Sequence, residues 1–252
     1  MRSQLKNRHF YKWSIVSVAV LIFSISQALA QVNPKILVFC KTAGYHHSSI
    51  AVGIVAIQKL GADNKFDVDT STDAIKINPE NLKQYKAVVF LSTTGDILND
   101  GQQEAFKQYI ESGGGFMGIH AATDCEYDWP WYGNLVGAYF GGHPAQQVAT
   151  LNIVDTQNPS TQHLPNPWIR KDEWYSFKWM AEGLHELITI DEKSYDLGKI
   201  APMEHHPMAW YHEYDGGRSF YTELGHTEES FDEPLYLQHI LGGIEYAIGR
   251  KP

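Results

Sequence analysis

Short apolar runs alternate with helix-like segments through the first half of the chain, and this alternation limits the fold more than any other feature. The runs are largely apolar, as in strands that helices cover on both faces, except for the second, in which apolar and polar residues alternate. The predicted strands span 35–40, 66–70, 87–91 and 116–119, and predicted helices span 48–60 and 99–111. Strands that alternate with helices form a parallel sheet with right-handed crossovers. We therefore predict an α/β fold with a doubly wound, mainly parallel sheet and helices on both faces.

The second half of the chain is less regular. Its predicted strands span 147–154, 187–190, 208–214 and 219–223, and a closing helix spans 233–248. Between them lie loops rich in aromatic residues, histidine and proline, at 126–144, 165–179 and 202–207. Long loops of unusual composition often hold functional residues on a rigid scaffold. Because no linker or repeat interrupts the pattern, we predict one domain over residues 31–252.

The first thirty residues have the three parts of a secretory signal peptide. Four lysines and arginines and no acidic residue precede an apolar run at 13–25, and the small-residue exit Ala28-Leu29-Ala30 follows. The apolar run is shorter than the roughly 20 residues that a membrane span requires. We expect cleavage after Ala30 and a periplasmic or secreted protein, with an uncleaved anchor as the alternative. Residues 31–252 contain no further candidate for a transmembrane segment.

Charge and cysteine content narrow the function classes. The chain has 20 lysines and arginines against 29 acidic residues, a net charge of −9. A nucleic-acid partner is not expected, because binding to phosphates requires a basic face. The two cysteines, Cys40 and Cys125, are too few for a disulfide framework or a four-thiolate metal site. Whether they form one disulfide stays open.

Polar side chains follow three of the predicted strands, where parallel strands present their ligand-binding edge. His47 follows the first strand, Asp96 the third and His120 the fourth. The glycine-rich turn and short strand before His120 resemble a nucleophile elbow, with histidine in place of serine or cysteine. A histidine at this position favours proton transfer or metal binding over acyl-enzyme chemistry. The alternative is a structural histidine that is hydrogen-bonded to a loop carbonyl. Asp124 either orients His120 or caps the next turn.

Four motifs together resemble the ThuA-like (trehalose utilisation) family. They are FCKTAGYHHSSI at 39–50, GGGFMGIHAATD at 113–124, DEWYSF at 172–177 and ELGHT at 223–227, and the match runs in order over 35–250. The resemblance implies a flavodoxin-like fold similar to class I glutamine amidotransferases. The elbow cysteine of those amidotransferases is absent, so their glutaminase activity is not implied. The implied setting is sugar metabolism beside dehydrogenases that make 3-keto-glycosides and proteins that cleave them.

The motif positions that the resemblance selects define a candidate site. They are His47, His120, Glu173, Tyr175, Gly225 and His226. His47, His120 and His226 with Glu173 form a candidate set of ligands for zinc, nickel, manganese or iron. Without a metal, His120, His226 and Glu173 form a general acid/base set for a keto-sugar. The predicted catalytic residues are His120, Asp124, Glu173 and Tyr175.

An aromatic set is the second indication of a sugar ligand, because aromatic rings stack on apolar ring faces. Its members are Trp129, Trp131, Tyr132, Trp168, Trp174, Trp179 and Trp210. We expect most of them in the core, and predict that Trp129, Tyr132, Trp210 and Asp96 bind substrate. Asp96 has a second interpretation, in which it only fixes its turn. The pair His205-His206 is expected in a hydrogen-bonded turn, and His185 and His239 on the surface of helices.

Three functions remain open from the sequence. The favoured one is an exported enzyme that acts on a glycoside or 3-keto-glycoside by enolisation, elimination or hydrolysis. The others are a non-catalytic carbohydrate-binding protein of a saccharide-utilisation system and an interaction module of an envelope complex. The expected partner is a small saccharide or an oxidised glycoside. The sequence leaves the sugar, the reaction and the oligomeric state open.

Overall fold

The structure is a computed structural model that describes residues 33–250. The predicted signal peptide at 1–30 lies outside the described residues. The strands are β1 (Lys35–Phe39), β2 (Asp67–Ser71), β3 (Ala87–Leu91), β4 (Gly115–Ile119), β5 (Ala138–Gly142), β6 (Gln147–Ile153), β7 (Trp168–Asp172), β8 (Ser176–Met180), β9 (His185–Ile190), β10 (Pro207–Tyr214) and β11 (Gly217–Thr222). The helices are α1 (Ser49–Asn64), α2 (Pro79–Leu82), α3 (Asp100–Glu111), α4 (Pro130–Val136) and α5 (Pro234–Ala247).

One nine-stranded sheet organises these elements, in the order β2-β1-β3-β4-β11-β10-β9-β6-β7. The pairs from β2 to β11 are parallel, and those from β11 to β7 are antiparallel. Strands β5 and β8 form a separate antiparallel pair. The order β2-β1-β3-β4 is that of a flavodoxin-like fold. The predicted α/β fold is therefore confirmed, with an antiparallel extension built by the second half of the chain.

Two hydrophobic clusters cover the two faces of the parallel strands. Side chains of a strand alternate between faces, and Ile36 in β1 belongs to one cluster while its neighbour Leu37 belongs to the other. The first cluster includes Ile57 of α1 and Ile240 of α5, and the second includes Phe106 of α3. Helices on both faces are thereby confirmed, and the strand ends are left free to form a site.

Several local predictions need correction. Ser48 precedes α1 but its side chain makes no capping hydrogen bond, whereas Asn99 and Gln102 form a full capping box on α3. The loop predicted at 126–144 contains α4 and β5, because Pro130 fits the first turn of a helix and Gly137 ends it in the left-handed region. The loop predicted at 165–179 contains β7 and most of β8.

The structure also locates two histidines and two cysteines that lie outside the candidate site. His185 is exposed but lies on a strand, and His239 is fully buried in α5 where a surface position was expected. His239 satisfies both ring nitrogens, with the Ser160 carbonyl and the Thr222 hydroxyl. Cys40 and Cys125 are both free and buried. Within residues 33–250, every helix is too short or too polar to span a membrane.

Candidate functional site

His120 occupies a strained turn directly after β4. Its φ is +52°, in the left-handed region that residues with a side chain rarely adopt. The ring is fully buried, and Nδ1 lies 2.8 Å from the main-chain oxygen of Glu223. Because a carbonyl oxygen only accepts, this contact assigns the proton to Nδ1 and leaves Nε2 as an acceptor. The strained turn thus presents an imidazole with a fixed tautomer.

Three further residues surround Nε2 of His120. Nδ1 of His226 lies 3.0 Å from it, and Glu173 Oε2 lies 2.9 Å from the same His226 nitrogen. The ring of His47 packs edge-on against the rings of His120 and His226, with centroids 4.8 and 5.1 Å apart. One ligand atom from each of these four residues lies within 4.8 Å of the others. The structure thus brings together four side chains from distant parts of the sequence, hereafter the His3Glu cluster.

Buried polar contacts hold the segments that supply this cluster. The carboxylate of Asp172, at the end of β7, accepts the main-chain N–H groups of Glu173, Gly225 and His226 at 3.0 to 3.1 Å. Ser49 donates from its hydroxyl to the carbonyl of Gly225 and so ties the start of α1 to the same loop. Arg170 pairs with the Asp172 carboxylate at 3.1 Å. A single buried carboxylate therefore sets the positions of two members of the cluster.

Burial and mutual contact determine the charges in the cluster. Burial and the neighbouring imidazoles of His120 and His226 lower the pKa of His47 to about 3, so that its ring is neutral. Burial alone would raise the pKa of Glu173, but the neighbouring imidazoles of His120 and His226 outweigh burial and lower the pKa to about 2. The cluster therefore combines an ionised carboxylate with imidazole lone pairs.

Most of the chain matches one protein family. Residues 35–247 match the family ThuA, which is described as trehalose utilisation. The chain belongs to the ThuA family. This membership implies a role in carbohydrate metabolism, and the His3Glu cluster is the arrangement that its motif residues adopt in this chain.

Solved structures share the fold of this chain. A ThuA-like protein from Bacteroides uniformis has 21% identity and a TM-score of 0.74, with 88% of this chain and 94% of that chain covered. A ThuA-like protein from Parabacteroides merdae has 20% identity and a TM-score of 0.70, with 87% and 91% covered. A β-galactosidase from Rahnella sp. R3 has 14% identity and a TM-score of 0.56, with 85% of this chain but 31% of that chain covered. A comparison with curated proteins finds no match.

A pocket of about 310 Å³ opens beside the cluster of this ThuA-family chain. It is lined by Tyr45, His47, Asp124, Phe140, His143, Gln146, Glu173, Tyr175 and His226. The ring of Tyr175 packs on His120 with centroids 4.4 Å apart. Nδ1 of His143 lies 3.1 Å from Glu173 Oε1, while the other Glu173 oxygen contacts His226. Glu173 therefore bridges the buried imidazoles and the pocket.

The structure changes the interpretation of the two predicted aspartates. Asp124 does not orient His120, because the nitrogens of that ring are already engaged by Glu223 and His226. Instead, its carboxylate accepts the Tyr127 hydroxyl at 2.6 Å and lines the pocket. Asp96 is exposed and lines a different groove of about 640 Å³, which includes no member of the cluster.

The structure places two of the three aromatic residues predicted to bind substrate in the core. Tyr132 and Trp210 are fully buried and donate to the carbonyls of Ala122 and Val136, so neither ring has a face free for a sugar. Trp129 is half-buried, stacks on Trp131 with centroids 5.0 Å apart, and is not among the pocket-lining residues. Bulky rings were needed to fill the second hydrophobic cluster, which contains Tyr132 and Trp210 and has Trp129 packed against it.

Sequence reasoning did not assign a role to several residues of the site. They are Tyr45, Phe140, His143, Gln146 and Glu223. Glu223 is fully buried, and burial together with the neighbouring Asp172 carboxylate raises its pKa well above the usual range. Its Oε1 accepts the N–H of Tyr175 at 3.0 Å. An acidic residue at the start of the ELGHT motif was the one sequence feature that pointed to it.

Proposed function

We propose that this ThuA-family protein is an exported enzyme that acts on a glycoside or 3-keto-glycoside at the His3Glu cluster. The observation that supports the proposal is the convergence of four ligand atoms within 4.8 Å, beside a pocket at the carboxyl ends of parallel strands. Convergent polar groups next to a concave pocket are the usual mark of a small-molecule site. Family membership supports a carbohydrate as the substrate.

We include a divalent metal ion in this proposal, held by His47, His120, Glu173 and His226. Three imidazoles and one carboxylate suit zinc, nickel, manganese or iron. The donor set fits, because Nδ1 of His47 is buried without a partner in the described chain and the main-chain anchor on His120 fixes the tautomer of a ligand. Two ligands of one ion lie at most about 4.2 Å apart. Small side-chain rotations would therefore accompany binding.

The residues of the cluster would have different roles in a reaction on a keto-sugar. A ketone acidifies the neighbouring C–H, and Glu173 reaches the pocket through Oε1 as the base that takes this proton. The imidazoles of His120 and His226 face the opposite Glu173 oxygen and hold the carboxylate in place, while His143 contacts Oε1 at the pocket. A bound divalent ion supplies a Lewis acid that polarises a carbonyl oxygen. Cleavage of the C–O bond on the carbon β to the ketone, with formation of a C=C bond, would then complete an elimination, and the leaving oxygen would take up a proton from the protonated Glu173 or from water.

Elemental analysis of protein purified without a histidine tag tests the metal. Wild type is expected to hold close to one divalent ion per chain, and His120→Ala to lose it. His205→Ala is the matched control, because that side chain is exposed and lies outside the cluster. Absence of metal from wild type after incubation with zinc, nickel, manganese and iron(II) would remove the metal from the proposal and leave acid/base catalysis.

A carbohydrate-binding protein without catalysis is the second candidate, and the exposed ring of Tyr45 at the pocket favours it. Incubation with a 3-keto-glucoside, followed by product analysis, separates the two functions. Turnover that His120→Ala abolishes supports the enzyme, whereas binding without turnover supports the second candidate. Export is tested separately by N-terminal sequencing of protein from a periplasmic fraction, where Gln31 is the expected first residue.

A further inference from the structure

Building on the proposed function, we propose that Tyr45 and Asp124 form a subsite for one pyranose ring. Tyr45 stacks on the apolar face of the ring, and the carboxylate of Asp124 accepts hydrogen bonds from its hydroxyl groups. Both residues line the pocket beside the His3Glu cluster. The subsite determines which sugar binds next to the His3Glu cluster.

Tyr45 has an anchored backbone and a free ring. Its carbonyl accepts the Thr94 hydroxyl at 2.8 Å, and the N–H of the preceding Gly44 is held by the same side chain at 3.2 Å. The side chain is nonetheless 65% exposed, and its described aromatic partner is His47, edge-on at 4.8 Å. A large ring held on a fixed backbone offers contact area at little cost in conformational entropy. Its position is therefore explained by a ligand better than by packing.

Asp124 presents an oxygen that the described protein leaves free. The Tyr127 hydroxyl donates to Oδ1 at 2.6 Å, and among residues 33–250 no other donor reaches the side chain. The Lys178 ammonium lies 3.6 Å from the centroid of the Tyr127 ring and forms a cation–π contact with it. A carboxylate fixed through one oxygen keeps the second available for hydroxyl groups, and charge-assisted hydrogen bonds of this kind are strong.

The dimensions of the pocket suit one pyranose ring. A volume of about 310 Å³ is at the small end of the range for small-molecule sites, about 300–1,000 Å³. One side of the pocket is aromatic, where Phe140 packs on Tyr175 with centroids 4.3 Å apart and His143 stacks on Tyr175 at 5.8 Å. A longer saccharide would therefore enter through a terminal ring, with its remaining units in solvent.

Saturation-transfer NMR and titration measure the subsite without requiring turnover. The probes are methyl α-D-glucopyranoside, its 3-keto derivative and α,α-trehalose. We expect Tyr45→Ala to raise Kd about five- to tenfold and Tyr45→Phe to leave it within about twofold, since the ring face is kept. Asp124→Asn is expected to raise Kd about tenfold or more, because a charged acceptor is lost. Trp179→Ala is the control, since that ring is 40% exposed but lies outside the pocket.

The outcomes separate the subsite from the proposed function. Binding by wild type that neither Tyr45→Ala nor Asp124→Asn weakens would overturn the subsite and leave the proposed function intact. Equal weakening by Trp179→Ala would overturn it as well, because the effect would not be local. If the wild type binds none of the three probes, the subsite is overturned. The metal content of the same sample tests the His3Glu cluster independently.

Discussion

The buried carboxylate of Asp172 accepts the main-chain N–H of His226 at 3.1 Å, although 54 positions separate the two residues in the sequence. The same carboxylate oxygen accepts the N–H of Glu173 at 3.0 Å. Two cluster residues in loops that are distant in the sequence are therefore positioned by one atom. Arg170 compensates the charge of this carboxylate in the protein interior. Asp172 is a positioning residue, and its effect on the cluster is testable.

Asp172→Asn should destabilise the protein by about 1.5–3 kcal/mol, because it removes a charged hydrogen-bond acceptor and leaves Glu233 as the remaining carboxylate partner of the buried Arg170 guanidinium. In the variant, the amide NH2 group would replace Oδ2, which accepts the N–H of Gly225 in the wild type. Two hydrogen-bond donors would then face each other. If the cluster holds metal, affinity should fall about 10- to 100-fold. Urea unfolding and competition with a chelating dye measure the two effects. Asp73→Asn is the matched control, because that exposed side chain caps a short turn elsewhere. Equal effects from both variants would contradict the positioning role.

Glu126 should be a major stabilising residue outside the cluster. Its buried Oε1 accepts the main-chain N–H groups of Ile97 and Leu98 at 2.7 and 2.9 Å, and Oε2 accepts the Gln103 amide at 2.6 Å. Glu126→Ala leaves these donors unpaired and should cost about 2–4 kcal/mol in free energy of unfolding. Glu126→Gln keeps an acceptor for the two main-chain groups and should cost less than half as much. Similar losses in the two variants, measured by urea unfolding, would contradict the prediction, because glutamine keeps the side-chain volume and an acceptor for the two main-chain groups.

The parallel half of the fold could be predicted from the sequence, because three of its four predicted strands are largely apolar runs and helix-like segments alternate with the strands. The ends of β1 and β4 place His47 and His120 at one edge by topology alone. The ThuA resemblance added Glu173 and His226, whose segments belong to the irregular second half. Their approach to His120 depends on the Asp172 contacts, which join positions 172 and 226 across the sheet and leave no periodic pattern in the sequence.

The aromatic residues show why the pocket walls were harder to predict. Tryptophan and tyrosine serve equally well as core filling and as a sugar platform, and composition does not distinguish the two uses. Trp210 lies in the core because β10 is an interior strand of the sheet, a position set by the antiparallel extension. Tyr45 instead lies in the exposed loop before α1, and its neighbours in sequence include Gly44 and His46, which are exposed as well.

His239 should make stability depend on pH. Burial lowers its pKa to about 3, and the nearby His163 and Arg170 act in the same direction. In the unfolded chain the imidazole of His239 has a pKa of about 6.5 and binds a proton below that pH, whereas in the folded state it stays neutral. The free energy of unfolding therefore falls as the pH drops below about 6.5. The loss at pH 5 relative to neutral pH should be about 2 kcal/mol. Urea unfolding of wild type and His239→Gln at pH 7 and pH 5 measures it as the difference between the two proteins. His185→Gln, an exposed position, is the control. An unchanged difference between pH 7 and pH 5 would contradict the prediction.

Two substitutions of His120 should differ in their effect on stability but not in their effect on activity, because the backbone at this position is strained. A φ of +52° is tolerated by asparagine and glycine but is costly for a β-branched residue. His120→Val should therefore unfold at lower urea concentration than His120→Asn, with a difference of about 1–3 kcal/mol. Both variants lack the imidazole, so both should lose the metal and the turnover that the proposed function expects. Equal stability of the two variants would mean that the turn relaxes readily and that the positive φ is no constraint. Turnover retained by His120→Asn would mean that the elbow holds the backbone for the other cluster residues and that the imidazole itself is dispensable.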